Sequence, residues 1–421
     1  MIRSPLFPLA LLLGAGGCAG DVGEVASIEK PVSQAANWRP VDAETGKIDD
    51  VAGLEALSLA FPDSSSVKLR LLNAQLQAGE DDALLETLRW LNERGYVFSE
   101  VARGQIPRLI GEEYAEDARA LLLGQAAPVE ASEVVWTVPT EAGLVESVLV
   151  DVDGNRAAVT SITTRSLWGL TPDGSWQQLK PEGADDLTGI VYDRTTGDIW
   201  VASGNVDQSD DAEEFFSGLL SAVDGQGGGR VAAPDNVVLS DLHRAEDGTI
   251  FASDPLNGGV YLLGPDRAAI ETLVAPGIFR SPQGLATSQD GTRLYVSDYR
   301  YGIAIVDLAT RGVSQLGAEI PVILDGTDAL FRRGNSLVAI QNGTSPMRIS
   351  RFQLSEDGNR VTAHRILEMA HSEWTEPLSG YLGSEALYYI GNGQWDKYVA
   401  GELGEGKVPE PTQIRRLPLA D

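Results

Sequence analysis

The sequence predicts a mainly β protein, a six-bladed β-propeller preceded by a small α-helical domain. Three observations carry this. A strand–turn–strand phrase recurs six times beyond residue 134, helical apolar spacing is confined to residues 51–124, and 46 Gly beside only 9 Phe and 11 Tyr mark a turn-rich chain. With 43% apolar residues and eight Trp, the 421-residue chain has enough apolar mass for a real core, which excludes a disordered polymer. Its 61 acidic and 32 basic residues give a net charge of −29. A field of that sign repels phosphate backbones and anionic headgroups, so no nucleic-acid partner is expected. One Cys and three His exclude a disulfide framework and argue against a zinc centre.

Residues 1–17 read as an export signal. Arg3 precedes an apolar run through Leu6, Phe7 and Leu11–Leu13, which ends in small residues before Cys18. The run is far shorter than the roughly 20 residues that span a bilayer. Ala15-Gly16-Gly17-Cys18 resembles a bacterial lipobox with Ala in place of the usual Leu. That resemblance implies lipidation of Cys18 and a place at the periplasmic side of the bacterial cell envelope, held to a membrane by the lipid alone. An ordinary cleaved signal with an incidental Cys is the alternative. Residues 18–50 then read as a polar tether.

Residues 51–124 carry helical periodicity. Leu54, Leu57 and Ala60 recur at three-residue steps before a stop at Phe61-Pro62, and Ser64 reads as the N-cap of the next helix. That second run ends at Gly79, a plausible C-cap, and a third through Leu84, Leu88 and Leu91 ends at Gly95. A last run extends from Leu109 to Leu123. Phe61-Pro62, the Gly79-Glu80-Asp81 turn and Gly95-Tyr96 resemble one degenerate tetratricopeptide unit. Such a unit implies a groove for a protein partner; a small bundle docked on the larger domain is the other reading.

Residues 125–133 form a linker, and the propeller is expected over residues 134–421. The repeated phrase occurs at residues 146–161, 188–203, 240–254, 283–298, 328–342 and 379–392. Asp-Gly and Thr-Gly turns at several of its centres, flanked by alternating apolar residues, are hairpin signals. The starts step by 42, 52, 43, 45 and 51 residues, the period of four-stranded propeller blades. A sandwich with fortuitous repetition is the competing fold. Strand-like segments at 134–138 and 414–419 flank the repeats, and their pairing into one blade would remove exposed sheet edges.

Alignment of the phrases puts Glu146, Thr188, Ser240, Gln283, Asp328 and Ser379 at equivalent positions, the starts of innermost strands at one mouth of the channel. All six side chains carry oxygen, and two are carboxylates from different blades. Such a ring suits a hard cation such as Ca²⁺, although polar residues line any wet channel. A carboxylate near such a cation can act as general base on water. Asp241, Gln341, Asn342, Glu376 and Gln394-Trp395 are candidates for a second layer around the ring. His243 has no visible Ser–Asp partners, and Asp207 to Glu214 lacks EF-hand spacing.

The blades resemble the family of senescence marker protein, gluconolactonase and luciferin-regenerating enzyme. These are calcium-dependent six-bladed propellers, and the likeness covers about Val134 to Leu419. The resemblance implies metal ligands at Glu146, Gln283 and Asp328, with Asp328 also the base. Gln283 stands where the family has Asn, Ser240 stands at another family Asn, and Ala329 replaces a Gly. The implied activity is metal-dependent hydrolysis of a lactone or cyclic ester. The alternative is a non-catalytic periplasmic scaffold that binds a protein or a cell-envelope ligand.

Overall fold

The computed structural model describes residues 36–124, 127–151, 154–206, 215–222 and 229–419. Cys18 and the acidic stretch 207–214 lie outside the described residues. Among the described residues no helix is long and apolar enough to cross a membrane.

Five helices come first: α1 (Val51–Ala60), α2 (Ser65–Ala78), α3 (Asp81–Glu93), α4 (Glu100–Leu109) and α5 (Ala115–Leu122). Ser64 caps α2, its hydroxyl accepting from the Val67 amide at 3.1 Å. Gly79 ends α2 in the left-handed region at φ 72°, where a side chain would be strained. The sequence does not announce α4, because Gly104 and Pro107 interrupt its weak apolar spacing. Its start is nonetheless capped by the Ser99 hydroxyl.

Part of the expected tether is folded. Trp38 and Val41 are buried, and the Trp38 indole donates to the Ile278 carbonyl at 3.0 Å. Its ring meets Phe61 and Phe279 edge-on at 4.9 and 5.4 Å. A large Trp in a polar stretch has apolar area to bury, and the neighbouring blade supplies the place.

Six sheets form the ring. The first blade comprises Val145–Val150, Ala157–Ser161, Ser166–Leu170 and Trp176–Leu179, each strand antiparallel to the next. The second to fourth blades repeat this order from innermost strands Asp186–Asp193, Leu242–Arg244 and Pro282–Thr287. The fifth begins at Ala329–Arg333, and the short Gly317–Ala318 strand pairs in parallel with its outermost strand. The sixth joins Gly380–Leu382, Ala386–Ile390 and Thr412–Pro418 to Glu133–Val138, the first strand among the described residues. The ring is therefore closed by hydrogen bonds between strands from the two ends of the propeller region.

The helices sit on one face of this ring. Strands alternate in direction, so the loop entering each innermost strand and the loop between its second and third strands share one face. Arg300, Leu324, Asp325 and Ser345 lie in such loops, and each bonds a residue of the helical module. α1 and α2 share one apolar cluster with Phe251, Leu285, Val296 and Tyr301 of the third and fourth blades. The module is docked through a common core rather than tethered.

Candidate active site at the channel mouth

The innermost strands are bent where the site residues stand. In the first, second and fourth blades the register against the second strand shifts between Val145 and Val148, Leu187 and Ile190, and Pro282 and Leu285. Glu146, Thr188 and Gln283 fall inside these irregularities, which re-aim side chains relative to a regular ladder. Neighbouring innermost strands are stitched directly. The Gly189 amide donates to Ser240 O at 3.0 Å and the Gly284 amide to Asp328 O at 2.9 Å. A Cβ on Gly284 would lie 2.3 Å from Leu330 N, so only glycine permits this approach.

Below the mouth the channel narrows to a cavity of ≈ 50 Å³, lined by Ser147, Gly189, Asp241, Gly284, Ala329 and Gly380, one from each blade. That volume admits a few waters at most, whereas ligand pockets hold about 300 Å³ or more. A ligand of ordinary size therefore does not fit inside this cavity.

Four carboxylates influence one another here, Glu146, Asp328 and Glu376 with Asp241 on the cavity wall. Burial raises the Glu146 carboxyl well above its ordinary range, and Asp328 and Asp241 raise it further. Burial does the same to Asp328, reinforced by Asp241 and Glu376 and opposed by a hydrogen bond from Asn342. Asp241 is pushed up to about 7 by burial. Glu376 is also pushed up to about 7, by burial first and then by Asp396. None of the four is ion-paired among the described residues. Uncompensated negative charge in a partly buried site favours protonation or a cation.

The polar neighbours divide into those that orient and those left available. Trp395 Nε1 donates to Glu146 Oε2 at 2.7 Å. Tyr299 OH donates to Asn342 Oδ1 at 2.8 Å, and Asn342 Nδ2 donates to Pro377 O at 3.1 Å. Asn342 is thereby held beside Asp328. Gln283 Nε2 donates to Ser281 Oγ at 3.2 Å, an arrangement that leaves its carbonyl oxygen for a ligand.

Other expected site residues serve the scaffold. Thr188 is buried, its hydroxyl bonded to Leu239 O and Ser240 O, and Ser240 contributes a stitched backbone carbonyl. Gln341 is fully buried, with its amide on Ile323 O and Asp325 O and its carbonyl accepting from Ser350. It does not reach the channel, since the loop entering the fifth blade consumes it. Gln394 similarly fastens Glu410 and Thr412. Ser379 lines the narrow cavity. His243 lines it too, accepting from the Thr287 amide at 3.1 Å through Nε2. Tyr299 carries no motif in the sequence, where its one signal is a Tyr directly after the strand-ending Asp298.

A divalent cation is tested by these donors. Among the described residues no three His, Cys, Asp or Glu side chains come together as a metal-holding group. A site would combine carboxylates with neutral oxygens, and Glu146, Asp328 and the Gln283 carbonyl, on the innermost strand stitched to that of Asp328, are donors of the kind a hard cation takes.

The fold and mouth define a six-bladed β-propeller with an acidic axial site. No family model matches the chain. Its structural neighbours are gluconolactonase-, luciferin-regenerating enzyme- and virginiamycin B lyase-like propellers. A gluconolactonase from Xanthomonas campestris is 16% identical, with a TM-score of 0.45 over 70% of this chain and 98% of that one. A luciferin-regenerating enzyme is 15% identical, with a TM-score of 0.45 over 69% of this chain and 95% of that one. Virginiamycin B lyase from Staphylococcus aureus is 16% identical, with a TM-score of 0.46 over 66% and 80%. A histidine–tRNA ligase from Pyrobaculum arsenaticum is 25% identical over 185 residues, 40% of this chain; the chain spans 42% of that relative's length.

Proposed function

We propose that the channel mouth hydrolyses a lactone or other cyclic ester, with Ca²⁺ or a related divalent cation held by Glu146, Gln283 and Asp328. The observation that carries this reading is the set of mutually raised carboxylates with no ion-pair partner among the described residues. A bound divalent cation supplies polarisation of an ester carbonyl and offsets the negative charge. Asp328 accepts a proton from water, and the hydroxide so formed adds to the carbonyl carbon. The ring C–O bond then breaks, and the proton passes to the departing alkoxide to leave a hydroxy acid. Asn342, fixed by Tyr299, orients Asp328, while Trp395 fixes Glu146.

Calorimetric titration of the full chain with Ca²⁺, Mn²⁺, Mg²⁺ and Zn²⁺, beside a pH-stat screen of lactones, tests the proposal. Stoichiometric binding lost in both Glu146→Gln and Asp328→Asn, with hydrolysis lost in Asp328→Asn and the fold intact, is expected. Hydrolysis retained by Asp328→Asn refutes its role as base. Silence of all four ions refutes the metal site.

A further inference from the structure

The two loops that present Asp328 and its orienting partner Asn342 are both clamped by the helical module. On one side the Asp325 carboxylate is fully buried and seats the N-terminus of α2. Its Oδ1 accepts from the Ser65 amide at 2.7 Å and its Oδ2 from the Ser66 amide at 2.8 Å. The Ser65 hydroxyl donates to the same carboxylate at 3.0 Å. With Ser64 serving Val67, the first donors of α2 are satisfied half by the helix and half by the propeller. The Asp63 carbonyl accepts from the Leu324 amide at 3.0 Å, which continues the seam. On the other side Val97 and Ser345 exchange two bonds, amide to carbonyl at 2.8 Å and hydroxyl to carbonyl at 2.6 Å. The buried Arg348 guanidinium, on the first residue of the strand after this loop, reaches the Arg94 carbonyl.

The clamp connects to the site within a few bonds. Asp325 is three residues before Asp328 and one before Gly326, whose amide donates to Tyr299 O at 2.8 Å. Gly326 O accepts from the Gly343 amide at 3.0 Å, and Gly343 follows Asn342. Gly326 has φ +67° and a Cβ there would meet Gly343 C at 2.7 Å, so the two loops touch backbone to backbone. Tyr299 closes the circuit by its bond to Asn342. A displacement of either loop therefore moves the group that orients Asp328.

We propose that the helical module is a structural part of the channel-mouth site, with Asp325 a positioning residue that holds the Asp328 loop through the N-terminus of α2. This inference rests on the cation-dependent reading of the mouth for its affinity test but not for its structural test. It departs from the groove expected of a tetratricopeptide-like unit, since the seam given to the propeller is the α2 entry and the turn after α3.

Amide hydrogen exchange and Ca²⁺ calorimetry on the full chain provide the test. The variants are Asp325→Asn, which sets an amide donor against the α2 amides, and Ser65→Ala, which removes only the hydroxyl bonds. Thr87→Val is the control, because it breaks the buried Thr87–Gln75 bond inside the module without touching the propeller. Exchange at Gly326, Asp328 and Gly343 is expected to quicken on the order of tenfold in Asp325→Asn, with a smaller rise in Ser65→Ala and none in Thr87→Val. Ca²⁺ affinity is expected to fall on the order of tenfold in Asp325→Asn, the scale on which separated elements couple. Faster exchange confined to the helices, an equal response in Thr87→Val, or unchanged Ca²⁺ affinity in a wild type that binds the ion overturns the proposal. If the wild type binds no ion, the function proposed above fails and the exchange measurement alone decides this one. If Asp325→Asn does not fold, Ser65→Ala carries the decision.

Discussion

At the seam where the chain ends close the ring, Glu368 is fully buried and accepts from the Ala131 and Ser132 amides, the Ser132 hydroxyl and the Tyr389 phenol at 2.7–3.1 Å. Arg415 joins this network through Ser132, pairs with Glu373 at 2.8 Å and donates to His371. At the channel mouth, four carboxylates act on one another through their charge and none has an ion-pair partner among the described residues. Both regions hide acidic side chains, yet one saturates its carboxylate with four donors and the other gives Glu146 and Asp328 one side-chain donor each, from Trp395 and Asn342. Burial alone thus does not mark a functional acid. Burial without a partner does, because only then does a ligand or a proton have something to neutralise.

Substitutions that remove an acid from each region should break in opposite directions. Glu368→Ala removes the buried acceptor of two part-buried amides, a phenol and a hydroxyl, and is expected to cost about 3 kcal/mol in thermal or urea unfolding. A loss below about 1 kcal/mol would show that the seam network is dispensable and would dissolve the contrast.

His243 sharpens the comparison from below the mouth. Burial, then Arg332 and Arg244, pushes its imidazole down to about 4 from 6.5. The unfolded chain therefore binds more protons between those values, so stability is full above pH 6.5 and is lost as pH falls toward 4. The loss is expected to approach about 3 kcal/mol and to shrink in His243→Gln, measured by urea unfolding across pH. An NMR titration midpoint of His243 near 6.5 would remove its part in acid sensitivity.

The smallest effect is expected at Asp241, whose folded carboxyl titrates near 7 instead of 3.8. The folded state holds the extra proton between those values, so rising pH destabilises it across that window. In the absence of divalent ions, Asp241→Asn should gain about 1 kcal/mol at pH 8, less than the full linkage because the carboxyl is partly exposed to the channel, and nothing below pH 4. A loss at pH 8 would mean that Asp241 already has a stabilising partner.

Much of the molecule was legible because its signals are local. Each repeated phrase holds a turn and the alternating flanks that pair across it, so blades and the starts of innermost strands can be read without distant residues. Ser64 and Gly79 announce the ends of α2 in the same way. The interrupted α4 was not legible, nor was the anchoring of Trp38, since weak spacing and a lone aromatic acquire meaning only against a packed neighbour.

By itself the sequence determined a propeller with acidic residues at equivalent positions of its blades, because hairpin chemistry and period are properties of short segments. Which acids remain free was decided by tertiary structure alone. Asp325 and Asp328 stand three residues apart, yet one is saturated by the start of α2 and the other faces the mouth. The difference lies in partners that arrive from more than 200 residues away, or not at all.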